Sequence, residues 1–169
     1  MNHKEIITRL SANISVFKSL LTGVSKDEYL FKPTEDKWCI LEVVNHIYDE
    51  EREDFRARIK QVLEAPDKSL TPIDPTGWVT ERNYIEQNYE QSVDRFFNER
   101  DESLMWLQSL QSPKWKNAHK HPEFGPLSAE MFLANWVAHD YFHFRQIINL
   151  KYHYLMHITD QNLYYAGTW

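Results

Sequence analysis

Residues 128–157 read SAEMFLANWVAHDYFHFRQIINLKYHYLMH, a stretch with neither glycine nor proline. Ser128 is placed to cap a helix. Phe132, Trp136, His139, His143, Ile147 and Leu150 then recur at three- and four-residue steps, the period of one helical face. A helix reaching about His157 is predicted, with an apolar stripe interrupted by two histidines.

Three more helices precede it. From Glu81 to about Gln111, Ile85, Tyr89, Val93, Phe96, Leu104, Leu107 and Leu110 predict a third helix, stopped by Ser112-Pro113. From Cys39 or Ile40 to about Ala65, Leu41, Val44, Tyr48, Phe55, Ile59 and Val62 predict a second, with a charged far side. Asn2 and Glu5 form a capping box for the first, whose stripe of Ile6, Leu10, Ile14, Phe17 and Leu21 ends at Gly23. A short connector runs from the cap-like Ser25 to Pro33. The loop at 66–80 holds three prolines and a glycine and is long enough to cross the end of a bundle; a second lies at 112–127. The last dozen residues end irregularly. With no evident strand alternation, the expected fold is all-α, one four-helix-bundle domain over residues 1–169.

The chain's 19 basic and 25 acidic side chains give a net charge of −6. Without a dense Lys/Arg cluster, it lacks the electrostatic footprint of a nucleic-acid binder. No apolar run approaches the ~18 residues of a membrane span. The lone Cys39 excludes an internal disulfide, and the N-terminus does not have the pattern of a secretory signal, so the expected location is the cytoplasm.

His139 and His143, four residues apart, project from one helix face and can share an ion. Eight histidines in the chain make spacing alone weak evidence, and His153 with His157 repeats it near a helix end, where a surface role fits better. The first pair gains weight from Phe132, Trp136 and Ile147 on much the same face, because buried imidazoles need partners. His46 is the natural third, flanked by Val43, Val44 and Ile47 on the second helix. Such a set suits zinc or nickel first, with iron, manganese or copper also accepted, and leaves positions open for water or substrate. Core histidines hydrogen-bonded to carboxylates or carbonyls explain the same pattern equally well. His3, His119 and His121 fall in terminal or loop positions.

The zincin motif requires Glu directly after the first histidine, where HDYFH has Asp140. Di-iron bundles require Glu three residues before a histidine, which none here has. Glu42, Glu50, Asp140 and Gln146 lie within helical reach of the triad as groups to fix the imidazole tautomers. The run DEERED at 49–54 reads as a wetted face apart from Asp49 and Glu50. Asp49, Glu50 and Asp140 are the general-base candidates, unranked without geometry. Cys39 has no neighbouring base or cations to activate it.

KWCILEVVNHIYDEERED (37–54) resembles the second-helix signature of the DinB/YfiT-like superfamily, where a Trp and a cap residue precede a Glu and then a histidine. HPEFGPLSAEMFLANWVAHDYFHFRQI (121–147) resembles its second signature, an HP-x-FG loop leading into His-x-x-x-His and a following Gln. The resemblance covers nearly the whole chain. It implies a bundle with a long crossover between the second and third helices, often a homodimer, and a divalent metal on His46, His139 and His143. Many relatives have Ser where this chain has Cys39, and a thiol caps poorly, which would fray or shift the helix start. Characterised relatives include thiol-dependent transferases and isomerases, in which the metal activates a low-molecular-weight thiol.

The leading expectation is a metal-dependent enzyme that activates such a thiol, or water, for transfer to or hydrolysis of a small substrate. The competing ones are a non-catalytic bundle, whose metal or histidine cluster is structural and which acts through dimerisation or partner binding, and a small-molecule binding module without turnover.

Overall fold

The computed structural model describes residues 1–167; Thr168 and Trp169, part of the expected irregular tail, lie outside the described residues. Helix α1 spans His3–Leu21, with Asn2 Oδ1 accepting from the Glu5 N–H as the capping box predicts. The connector forms a single turn, α2, at Lys26–Leu30.

The second long helix starts at Ile40, unshifted by the thiol cap: Glu42 accepts from the Cys39 N–H at 2.8 Å and completes a capping box that the thiol makes weakly. It runs as α3 (Ile40–Asp49), a π-helical segment (Glu50–Phe55) and α4 (Arg56–Glu64), with helical backbone throughout. The π segment inserts one residue into the helical repeat. As a result the adjacent Glu50 and Glu51 both point inward.

The third helix, α6, begins at Tyr89 rather than Glu81 and ends at Ser109. A single turn, α5 (Trp78–Glu81), and a 3-10 turn (Tyr84–Glu86) occupy the expected first turns. Asn83 breaks the run in a left-handed conformation at φ 51°, which asparagine tolerates better than most residues. Asn88 then caps α6, its Oδ1 accepting from the Gln91 N–H. A short antiparallel hairpin that the sequence reading lacked, β1 (Ala118–His121) with β2 (Gly125–Ser128), follows. Four-residue strands reading AHKH and GPLS are too short to display alternation. Helix α7 spans Ala129–Thr159, about 46 Å, capped by Ser128 as expected.

The Tyr89 hydroxyl donates to the Leu21 carbonyl and its ring stacks on Tyr29, so α1 ends where α6 begins. At the opposite end His3 meets Glu130, and Asn117 donates to the Leu63 carbonyl. Hence α1 and α7 run parallel and pack together, while α3–α4 and α6 run parallel to each other and opposite to that pair. The chain between Glu64 and Tyr89 climbs back along the bundle, the crossover the resemblance implies. Arg82 ties it down through two bonds to Glu53 and one to Asp49.

Two apolar clusters fill the interior. One contains Phe17, Ile40, Val44, Phe96 and Ile147; the other contains Leu10, Ile59, Leu104, Leu133 and Trp136. Between them lies a buried polar belt. Arg100 donates to Glu51 and, through both terminal nitrogens, to Asp140; Asn13 also donates to Asp140, and the Trp136 indole to Glu51. Each charge in the belt has partners, which is what burial requires.

Candidate metal centre

The belt continues into the histidines. Helix α3 and the long α7 bring His46, His139 and His143 together, and their ligand nitrogens all lie within 4.8 Å of one another. The Nε2 atoms of His139 and His143 are 3.0 Å apart. Two metal–nitrogen bonds of ordinary length at tetrahedral to right angles hold nitrogens about 3.0–3.4 Å apart. His143 Nδ1–H donates to Gln146 Oε1 at 2.8 Å, leaving the Nε2 lone pair aimed into the cluster, the tautomer a ligand needs. Tilted rings of Trp38 and Phe55 pack on His46 and His139.

Burial lowers the His46 pKa to about 3, helped by the nearby His143 and weakly opposed by the Pro75 carbonyl of the crossover. Burial, then His143 and His46, lowers His139 to about 2. His143 falls for the same first reason, with Gln146 and Asp140 pulling it up. All three rings are therefore neutral donors at pH 7. Glu50 moves the other way, to about 8, because of burial and the neighbouring Asp54; its Oε2 is 3.8 Å from His139 Nε2.

The buried side-chain polar atoms without a hydrogen-bond partner, among the described residues, are His46 Nδ1 and Glu50 Oε1. Both belong to this cluster. Stranded polarity of this kind costs about 1–3 kcal/mol per group, and a divalent cation relieves it by giving lone pairs an acceptor and Glu50 a counter-charge. The donor set fits such an ion.

The remaining sequence candidates have other partners. Glu42 serves the α3 cap and an ion pair with Lys32. Asp49 accepts from the Tyr84 hydroxyl and Arg82. Asp140 is held by Arg100 and Asn13. The run at 49–54 is less wet than expected, since Glu51 is 1% exposed. Its partner Arg100 sits between Phe96 and Leu104 on the inward stripe of α6, and Asn13 between Leu10 and Phe17 on that of α1. Polar residues at inward positions were the available signal for the belt.

Beside His139 a cleft of about 340 Å³ opens to the surface, walled by Phe55, Phe132, Met131, Phe142, Asn135 and Asp54. The sequence places Phe55 and Phe132 on helical stripes and Asp54 on a wetted face and assigns none of the six to a site, because stripes do not show which side chains border a void.

The DinB superfamily family model matches residues 9–147, and the chain belongs to that family. Among solved structures it is similar to YfiT from Bacillus subtilis, described as "a probable metal-dependent hydrolase with an unusual four-helix bundle topology". The identity is 20%, the TM-score is 0.75, and the match covers 88% of this chain and 85% of the other. No curated protein matches. No helix among the described residues is long and apolar enough to cross a membrane.

Proposed function

We propose that this protein is a metal-dependent enzyme acting on a small molecule, with the ion held by His46, His139 and His143. The observation that carries this reading is the meeting of three neutral imidazoles beside a cleft that opens at His139, with the Glu50 carboxyl next to them rather than within the set of mutually close ligand atoms. A structural site closes its coordination sphere with protein ligands, whereas a catalytic one keeps a position open. When bound, a divalent ion supplies Lewis acidity and lowers the pKa of water or of a low-molecular-weight thiol.

The chain's own residues supply the rest. Gln146 holds the His143 ring in its ligand tautomer. Glu50, with Oε1 unpartnered and Oε2 facing His139, holds its proton in the metal-free chain; ionised beside a bound cation, it is the side chain placed to take a proton from the nucleophile and return it to a leaving group. Asp49 and Asp140 are held in ion pairs and serve to position Arg82 and Arg100. Phe55, Phe132 and Phe142 keep water from the inner cleft. The exposed residues Tyr141, Ile148 and Leu155 recur every seven positions along α7, a stripe that supports pairing of two copies into a homodimer.

Elemental analysis of tag-free protein after incubation with several divalent ions tests the site. Near one equivalent in the wild type, lost in His139→Ala, is expected; unchanged metal in the variant overturns the assignment. In metal-loaded protein, Glu50→Gln is expected to retain the ion and lose about 10²–10⁴-fold in turnover. Binding of added thiol to the wild type separates thiol from water as the nucleophile.

A further inference from the structure

The cleft beside His139 has mainly apolar walls. Phe55 and Phe132 form its floor, Met131 and the exposed ring of Phe142 its rim, and neither Lys nor Arg is among its described lining residues. Its polar wall groups are Asp54, Asn135 and the His139 ring, and the first two present oxygens that accept hydrogen bonds. Asn135 has committed its Nδ2 to the Met131 carbonyl, which leaves its amide oxygen to receive a donor. The Asp54 carboxylate is ion-paired with Arg58, whose guanidinium lies over the Phe132 ring, so the cation nearest the wall is already matched and the wall's oxygens belong to Asp54 and Asn135. At about 340 Å³ the space falls at the small end of ligand pockets, roughly 300–1,000 Å³, and suits one or two rings.

We infer that the cleft binds small, uncharged aromatic molecules bearing an N–H or O–H donor, such as aryl amides, and discriminates against aryl carboxylates. Flat rings are favoured by the phenylalanine walls, against which offset or edge-on stacking adds to area burial. An anion is disfavoured because it meets Asp54 and Asn135 oxygens and leaves its charge unmatched. As a statement of substrate class, this rests on the metal-dependent reading above; as a statement of binding, it does not require the ion.

The test uses the full chain after chelator treatment, where a carboxylate has no cation to ligate, and titrates three probes by calorimetry: 2-naphthamide, 2-naphthoate and N,N-dimethyl-2-naphthamide. Saturable binding of 2-naphthamide is expected, at least tenfold tighter than either of the others. Ala138→Trp, which fills the cleft from α7, is expected to abolish it. Asn135→Leu, at an exposed position, is expected to weaken 2-naphthamide at least tenfold and leave the dimethyl compound unchanged, and it serves if the tryptophan variant does not fold. Equal or tighter binding of 2-naphthoate, no saturable binding of the amide, or binding indifferent to both substitutions overturns the inference. So does dissociation of a dimer by Ala138→Trp, which would assign the cleft to a second copy. Metal stoichiometry is read separately, so a protein that binds the amide and no metal would sink the enzyme reading and leave this one standing.

Discussion

Cys39 shows how one side chain can be positioned by its backbone and silenced by its surroundings. It is 0% exposed, and burial pushes its thiol pKa from 9.0 up to about 11. Since the thiolate is the reactive form, iodoacetamide at pH 8 should leave folded protein unmodified and alkylate it fully in denaturant; mass spectrometry distinguishes the two. The same shift has a sign on stability. Cys39, Tyr84 and Tyr89 all have pKa values raised by burial, so above pH 9 the folded chain retains protons that the unfolded chain releases. Their contribution is complete below about pH 9 and is lost as pH rises through the folded values, at most about 1.4 kcal/mol per pH unit for each group. Urea midpoints at pH 8 and pH 10.5 should differ accordingly, and Cys39→Ala should reduce the difference.

Among the elements, the π segment has the most specific consequence. Deleting Arg52 would restore a regular helix and rotate α3 relative to α4 by about 100°. Both halves are anchored in separate apolar clusters, so either Glu50 or Phe55 would have to leave the interior. A fall of about 10–100-fold in metal affinity is expected, measured by competition with a chelating dye, although Arg52 does not line the site. The π segment also marks where sequence reading stopped. Stripes, caps and breakers in residues 3–21, 40–64 and 129–159 disclosed the long helices, since each buries one face. They missed the false start of the third helix, because Ile85 keeps the period while Asn83 and Asn88 break the backbone. They also could not reveal a one-residue insertion, whose phase shift falls in the charged run 49–54, where no apolar residue registers it. His46, His139 and His143 were legible as a group from spacing and apolar neighbours. Glu50 could be ranked above Asp49 and Asp140 only once the ion pairs of the other two were visible.

For the molecule as a whole, the belt around Arg100 joins all four long helices. Arg100→Met would leave Glu51 and Asp140 buried with their countercharge removed, and a loss of about 3–5 kcal/mol is expected, read from urea unfolding monitored by circular dichroism. Adding Glu51→Gln and Asp140→Asn should recover part of it, because neutral amides are less costly to bury. Intact, the belt stabilises through complete pairing; incomplete, it becomes the weakest layer of the fold.

The parallel pairing of α1 with α7 also orders events in time. These two helices, far apart along the chain, pack extensively against each other. Contacts so distant in sequence slow folding, because the loop between them must close before they reward it. During synthesis, which proceeds at about 5–20 residues per second, α1 emerges first and must wait for the final helix. Until then the part of the inward face of α1 that α7 covers stays exposed on the nascent chain even after α6 has emerged to pack on Phe17, a natural place for a chaperone to hold it.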